Sequence, residues 1–211
     1  MSLFKKQGFQ FFIFFGIFAL IAGIAHAEVS AETQYVFNTF LFLVCGFLVM
    51  FMAAGFAMLE AGSVRSKNAA AICVKNISLY STAGLLYWLV GYNLMYGVDE
   101  GGFLGSMSVW TADDMAVGGD APDYSGGYAS GSDWYFQMVF CATTASIVSG
   151  TIAERLKIWP FLIFTLVLTG FIYPIVGSWE WGGGFLDANF AFSDFAGSTL
   201  VHSTGGWAAL A

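Results

Sequence analysis

The placement of charge constrains this chain more than any other feature of its sequence. Uncharged stretches run from Thr33 to Leu59, Asn76 to Val98, Tyr135 to Ala153, Ile158 to Trp179 and Phe195 to Ala211. Crossing about 30 Å of hydrocarbon takes roughly 20 apolar residues at about 1.5 Å of rise each. Four stretches are long enough; the fifth would rise only about 25 Å. Composition points the same way, because 58% of the 211 residues are hydrophobic and 10% are charged, against about 25% charged in a typical soluble domain. Too few polar atoms are present to cover a surface in water. We therefore expect an all-α membrane protein, a polytopic bundle with spans near 33–61, 70–98, 134–153, 158–179 and 194–211, the last one truncated.

The first residues read differently. Lys5 and Lys6 precede an apolar core from Phe11 to Ile24, and Ala25-His26-Ala27 matches a small-x-small cleavage site. That layout predicts a signal peptide over 1–27, ahead of a membrane domain over 28–211. An uncleaved signal anchor is the alternative, and both readings leave Glu28 outside. The remaining basic residues are Arg65, Lys67 and Lys75, read between spans one and two, then Arg155 and Lys157 between spans three and four. The segment from Asp99 to Asp133 is acidic and holds no Lys or Arg, and the next outer loop carries Glu180 and Asp187. Basic residues on alternate connections follow the positive-inside rule. The expectation is a multi-pass protein of the cell inner (plasma) membrane, embedded in lipid bilayer, with its mature amino terminus outside.

A net charge of −7 then describes an outer face rather than a nucleic-acid partner. Acidic loops there either concentrate a cation or simply stay solvated. Cys45, Cys73 and Cys141 sit in apolar runs without metal-ligand spacing, and are read as buried small hydrophobes. The 99–133 loop is rich in Gly, Asp and Ser and has little with which to form a core. No metal or cofactor motif is present.

Polar groups within hydrocarbon are costly, so each ionisable residue in a span is a candidate for function. His202 lies in an otherwise apolar helix, about 12 Å of rise beyond Asp194 at the outer end. It either lines a polar pathway or packs against a neighbouring helix. Asp194 is placed to cap that helix by accepting from its first free N–H groups. Trp181 precedes Gly182-Gly183-Gly184 at the outer mouth, where an indole either holds a cation against its face or anchors the interface. Phe136 and Phe140 stand one turn apart and share a helix face, a spacing that packing alone explains. No nucleophile–base pair accompanies these residues, which argues against an enzyme.

Taken in order, three segments resemble the ammonium transporter (Amt/Mep/Rh) family. The run Ala54-Gly55-Phe56-Ala57-Met58-Leu59-Glu60-Ala61-Gly62, with Val64-Arg65 and Lys67-Asn68, is similar to that family's first-helix signature. Phe136-Gln137-x-x-Phe140, followed by Gly150 and Ala153-Glu154-Arg155, resembles its third helix. Asp194-Phe195-Ala196-Gly197-Ser198-Thr199-x-Val201-His202 resembles its most characteristic segment. The resemblance covers nearly the whole chain after residue 27 apart from the 99–133 loop, which looks longer than in many members.

The resemblance implies a fold and a set of roles. The fold would be the first five-helix inverted repeat of an eleven-span architecture that assembles as a homotrimer. Trp181 would help recruit ammonium at the outer mouth, Phe140 would belong to the gate beneath, and Phe136 would match the aromatic lining. Asp194 would organise the vestibule, and His202 would be the first of two pore-lining histidines. The function implied is a channel for nitrogen uptake that carries ammonium or ammonia, with methylammonium as a further substrate, no cofactor, and a PII-type protein as a regulatory partner. The second histidine, a second gate aromatic and a recruitment-site serine would lie beyond residue 211, so this stretch alone is expected to be inactive. An ammonium sensor that couples the same membrane fold to a signalling domain is the alternative.

Overall fold

In the computed structural model, which describes residues 29–115 and 121–211, the chain becomes helical where the Ser30 side chain accepts a hydrogen bond from the Thr33 N–H. Helix α1 runs Ala31–Ser63. A short link leads into α2, Ser66–Tyr96, and after a long connection come α3, Ser130–Thr151, and α4, Ile158–Ser178. A short helix α5, Phe185–Phe190, precedes the last helix α6, which spans 198–210. The expected signal peptide lies outside the described residues. Among those residues the β structure is a single bridge between Met115 and Pro122. The fold class is all-α, as the charge gaps imply.

Helices α1, α2 and α4 are each long and apolar enough to cross a membrane. Helix α3 has the length but a more polar composition, and it stands at the centre, with α1, α2, α4 and α6 packed around it. Three of its buried hydroxyls are satisfied within the helix: Thr143, Thr144 and Ser146 donate to the carbonyls of Val139, Phe140 and Ala142 at 2.8, 3.2 and 3.2 Å. A helix that closes its own hydrogen bonds this way can be enclosed by others without orphaned polar groups. Helix α1 is the opposite case. Its Phe37, Phe40, Leu48 and Phe51 point away from the other described helices, which suits hydrocarbon.

Three helices carry a π-helical segment: Tyr87–Gly91 in α2, Leu168–Ile172 in α4 and Ser198–Ser203 in α6. The first two face each other. Contact there is close enough that a Cβ on Gly91 would lie 3.2 Å from Pro174 Cγ and 3.3 Å from the Thr169 carbonyl oxygen. Such single-turn π segments recur at functional positions.

The described part of the connection between α2 and α3 folds back over α2. The Ser106 N–H donates to the Asn93 carbonyl and the Trp110 N–H to the Trp88 carbonyl. Asp114 accepts from the Ser130 N–H and hydroxyl and from the Tyr35 hydroxyl, joining the starts of α1 and α3.

Two readings of the sequence need correction. Lys75 belongs to α2, not to the inner link, and is buried against Glu60. Of the cysteines only Cys141 is buried; Cys45 is partly covered, and Cys73 is exposed beside an open pocket between α1 and α2. Two of the motifs meet where α1 and α3 end. Glu154, in left-handed backbone at φ 62°, accepts from the Asn68 amide (2.6 Å), the Arg65 N–H (2.9 Å) and the Arg65 guanidinium (3.1 Å). The Asn68 amide first, then the Arg65 N–H, hold its carboxyl below the usual range.

Candidate functional site

Aromatic side chains from α1, α2, α3 and the 179–197 segment converge at the end of the bundle where α1 and α3 begin. They enclose a cavity of about 390 Å³ whose walls include Phe42, Phe136, Phe140, Trp181 and Phe195. The Phe136 and Phe140 rings lie 5.1 Å apart edge to face, and the Phe140 and Trp181 rings 5.5 Å apart in the same manner. One helical turn on α3 brings the two phenylalanines onto one face, and Trp181 closes on them from the loop after α4.

Trp181 is held by the turn that opens α6. Its indole N–H donates to the Asp194 carbonyl at 2.6 Å. The Asp194 carboxylate accepts four backbone N–H groups, from Gly197 and Ser198 on one oxygen and from Thr199 and Leu200 on the other, at 2.7–3.0 Å. Gly197 makes this turn possible: it sits at φ +81°, and a Cβ there would come within 2.6 Å of Val201 and 3.2 Å of the Trp181 ring. Burial pushes the Asp194 carboxyl up, but the four N–H donors more than reverse this, and it titrates below the usual range. Glu180 accepts from the Asp194 N–H at 2.8 Å. Burial and the charges of Asp194 and Asp187 outweigh that bond and raise the Glu180 carboxyl.

The cavity also holds polar groups that sequence reading missed. Asp133, buried in the first turn of α3, accepts from the Tyr92 hydroxyl at 2.5 Å. Gln137 lines the cavity, and its Oε1 is buried without a hydrogen-bond partner among the described residues. Gln137 lay in plain view inside the Phe136–Phe140 motif; Asp133 read as the last charge of a solvated loop.

The structure thus brings Phe136, Phe140 and Trp181 around one space, with Asp194 behind Trp181 as the residue that fixes it. His202 is elsewhere. It lies exposed on the π segment of α6 and is not part of this aromatic cavity. That segment runs beside α3, where the Thr144 hydroxyl reaches the Val201 carbonyl at 3.5 Å. Among the described residues no three His, Cys, Asp or Glu side chains converge as metal ligands would.

The sequence model of the Ammonium Transporter Family matches residues 40–211. The chain belongs to the ammonium transporter family. It is 44% identical over 178 residues to ammonium transporter Amt2 of Archaeoglobus fulgidus, which covers 80% of this chain and 36% of the relative. It is 43% identical over 164 residues to Amt2 of Haloferax mediterranei, which covers 78% of this chain and 35% of that protein. Among solved structures, a Sensor Amt Protein superposes with a TM-score of 0.73 at 34% identity, covering 84% of this chain and 44% of that one. The N240A mutant of Candida albicans Mep2 gives a TM-score of 0.68 at 25% identity, over 87% and 40% of the two chains. The chain spans between a third and a half of the length of these relatives. Family and helices together make it a membrane protein with an ammonium-transporter fold.

Proposed function

We propose that this chain forms the outer mouth and one wall of a path that carries ammonium or ammonia across a membrane. The observation that supports this best is the outer cavity, in which aromatic faces, a buried carboxylate and an unpartnered amide oxygen come together. A desolvated cation against an aromatic face gains about 2 kcal/mol. The Trp181 and Phe140 rings supply such faces, Gln137 Oε1 supplies an acceptor for an N–H, and Asp133 supplies negative charge. Potassium has no N–H to donate, so this set favours ammonium and methylammonium. Beyond the rings the path turns apolar, where a bare cation is costly. The substrate gives its proton to water at the mouth, and ammonia continues past His202, whose exposed imidazole presents its ring nitrogens as donor and acceptor along α6.

The remaining parts of the reading follow the family. The acidic loops face outward, the basic links face the cytoplasm of an inner membrane, and the working unit is a homotrimer to which a PII-type protein binds from within. Methylammonium uptake by the full-length protein tests the central claim. We expect saturable uptake that Trp181→Leu weakens mainly through a higher half-saturating concentration and that His202→Leu alters through its rate. Uptake indistinguishable from protein-free vesicles would overturn it.

A second reading is favoured by the likeness to the Sensor Amt Protein: the same cavity reports ammonium to a signalling domain. Ammonium binding with no measurable flux separates that reading from transport.

A further inference from the structure

A second cavity, of about 400 Å³, lies at the other end of the same helix pair, with Phe56, Leu59, Ile147, Gly150 and Thr151 in its walls together with Glu60. The two cavities share their faces. On α1, Glu60 stands five helical turns, about 27 Å, beyond Phe42 of the outer cavity, on the same side of the helix. On α3, Phe136 and Phe140 of the outer cavity are followed by Ile147 and Thr151 of the inner one, at spacings that keep one stripe. Glu60 therefore lies on the α1–α3 face that also carries the first cavity, at its far end from Trp181.

Glu60 is 3% exposed, and its two oxygens differ sharply. Oε2 takes the Lys75 ammonium at 3.2 Å, the Asn76 amide at 3.0 Å and the Ser149 hydroxyl at 2.8 Å. Oε1 is buried with no hydrogen-bond partner among the described residues. It lies 3.9 Å from the point that a Cβ on Gly150 would occupy. Lys75 also donates to the Ser149 carbonyl at 2.7 Å, which fixes the pair in place. A buried acceptor left bare costs about 1–3 kcal/mol, and ionisable groups at membrane depth are kept where they serve a path. Because Lys75 neutralises the carboxylate, Oε1 offers a strong lone pair without a net negative field. Such a group suits a neutral N–H donor better than a cation.

We propose that Glu60 Oε1 is the inner docking point for a small neutral N–H donor, ammonia or a primary amine, in this second cavity. This rests on the transport reading above. Gly150 is the access position: its missing side chain leaves the approach to Oε1 open, and Lys75, Asn76 and Ser149 position the carboxylate.

Gly150→Ala tests this without touching a charge, because the added methyl meets Glu60 at 3.6–3.9 Å, ordinary contact distances. In the full-length protein we expect the maximal rate of methylammonium uptake to fall roughly tenfold, the loss of one hydrogen bond to a charged group, while the half-saturating concentration set at the outer cavity stays put. Infrared difference spectra of Asp133→Asn in lipid, which lacks the buried carboxylate of the first cavity, supply a second measurement. Ammonium chloride at mildly alkaline pH should shift a buried carboxylate band that potassium chloride leaves alone. An unchanged maximal rate in well-folded Gly150→Ala would overturn the proposal, as would identical spectra with the two salts, the result expected if only water reaches Oε1. An ammonium-specific shift in Asp133→Asn together with no uptake by the wild-type protein would keep the docking point and discard the transport reading.

Discussion

Asp194 and Glu60 are both buried carboxylates at the ends of helices, and they are satisfied in opposite ways. Asp194 spreads four backbone N–H groups evenly over two oxygens and needs no cation. Glu60 loads three donors, one of them an ammonium, onto a single oxygen and leaves the other bare. The first arrangement has no spare valence and defines a shape, the turn that carries Trp181. The second keeps an acceptor in reserve. Burial alone therefore does not separate a structural carboxylate from one available to a ligand; the distribution of donors does.

The sharpest way to break this contrast is to remove the cation from the pair. Lys75→Met should destabilise the protein by about 3–5 kcal/mol, since it strands a buried charge, and a double substitution with Glu60→Leu should restore most of that loss. Thermal unfolding in detergent reads both. Asp194→Ala comes next, at about 2–3 kcal/mol, because it strips charge-assisted bonds from four N–H groups at once. Here pH gives an independent check. The folded Asp194 carboxyl lies below its unfolded value near ~3.9, so its contribution is complete above that value and is lost as pH falls through the lower folded one. Tryptophan fluorescence should report a loosened Trp181 in that acid window, and Asp194→Ala should abolish the transition. Gly197→Ala should cost about 1–2 kcal/mol through its left-handed backbone and the contact with Val201. The smallest effect belongs to Arg65→Ala. That ion pair with Glu154 is largely exposed, and the melting temperature should barely move.

These particulars show where the sequence was legible. Long gaps between charges required helices in lipid, and the helices are there. The position of Asp194 ahead of an apolar run pointed to the cap that its four N–H contacts form. Glu60 and Lys75 were obscured because each sits beside the Arg65–Lys67 link and reads as part of a solvated boundary; only the turn-by-turn phase of α1 against α2 reveals that they face one another. The central position of α3 was hidden for a related reason. Its serines and threonines lower its hydropathy, yet Thr143, Thr144 and Ser146 bond to their own backbone, so composition overstates how polar the helix is. The meeting of Phe136, Phe140 and Trp181 could be named only through family resemblance, since spacing says nothing of a loop that folds back from beyond α4.

The π segment of α2 also has a genetic meaning. A π turn holds one residue more than the α turn it replaces, and that residue sets the phase of everything after it. Losing a single codon from the Tyr87–Gly91 stretch would keep the reading frame and very nearly the hydropathy, yet it would turn Tyr92 by about 100°, away from Asp133. For this helix, length is as much a part of the message as letters, and a frame-preserving deletion of one triplet there should be as damaging as a substitution at the mouth itself.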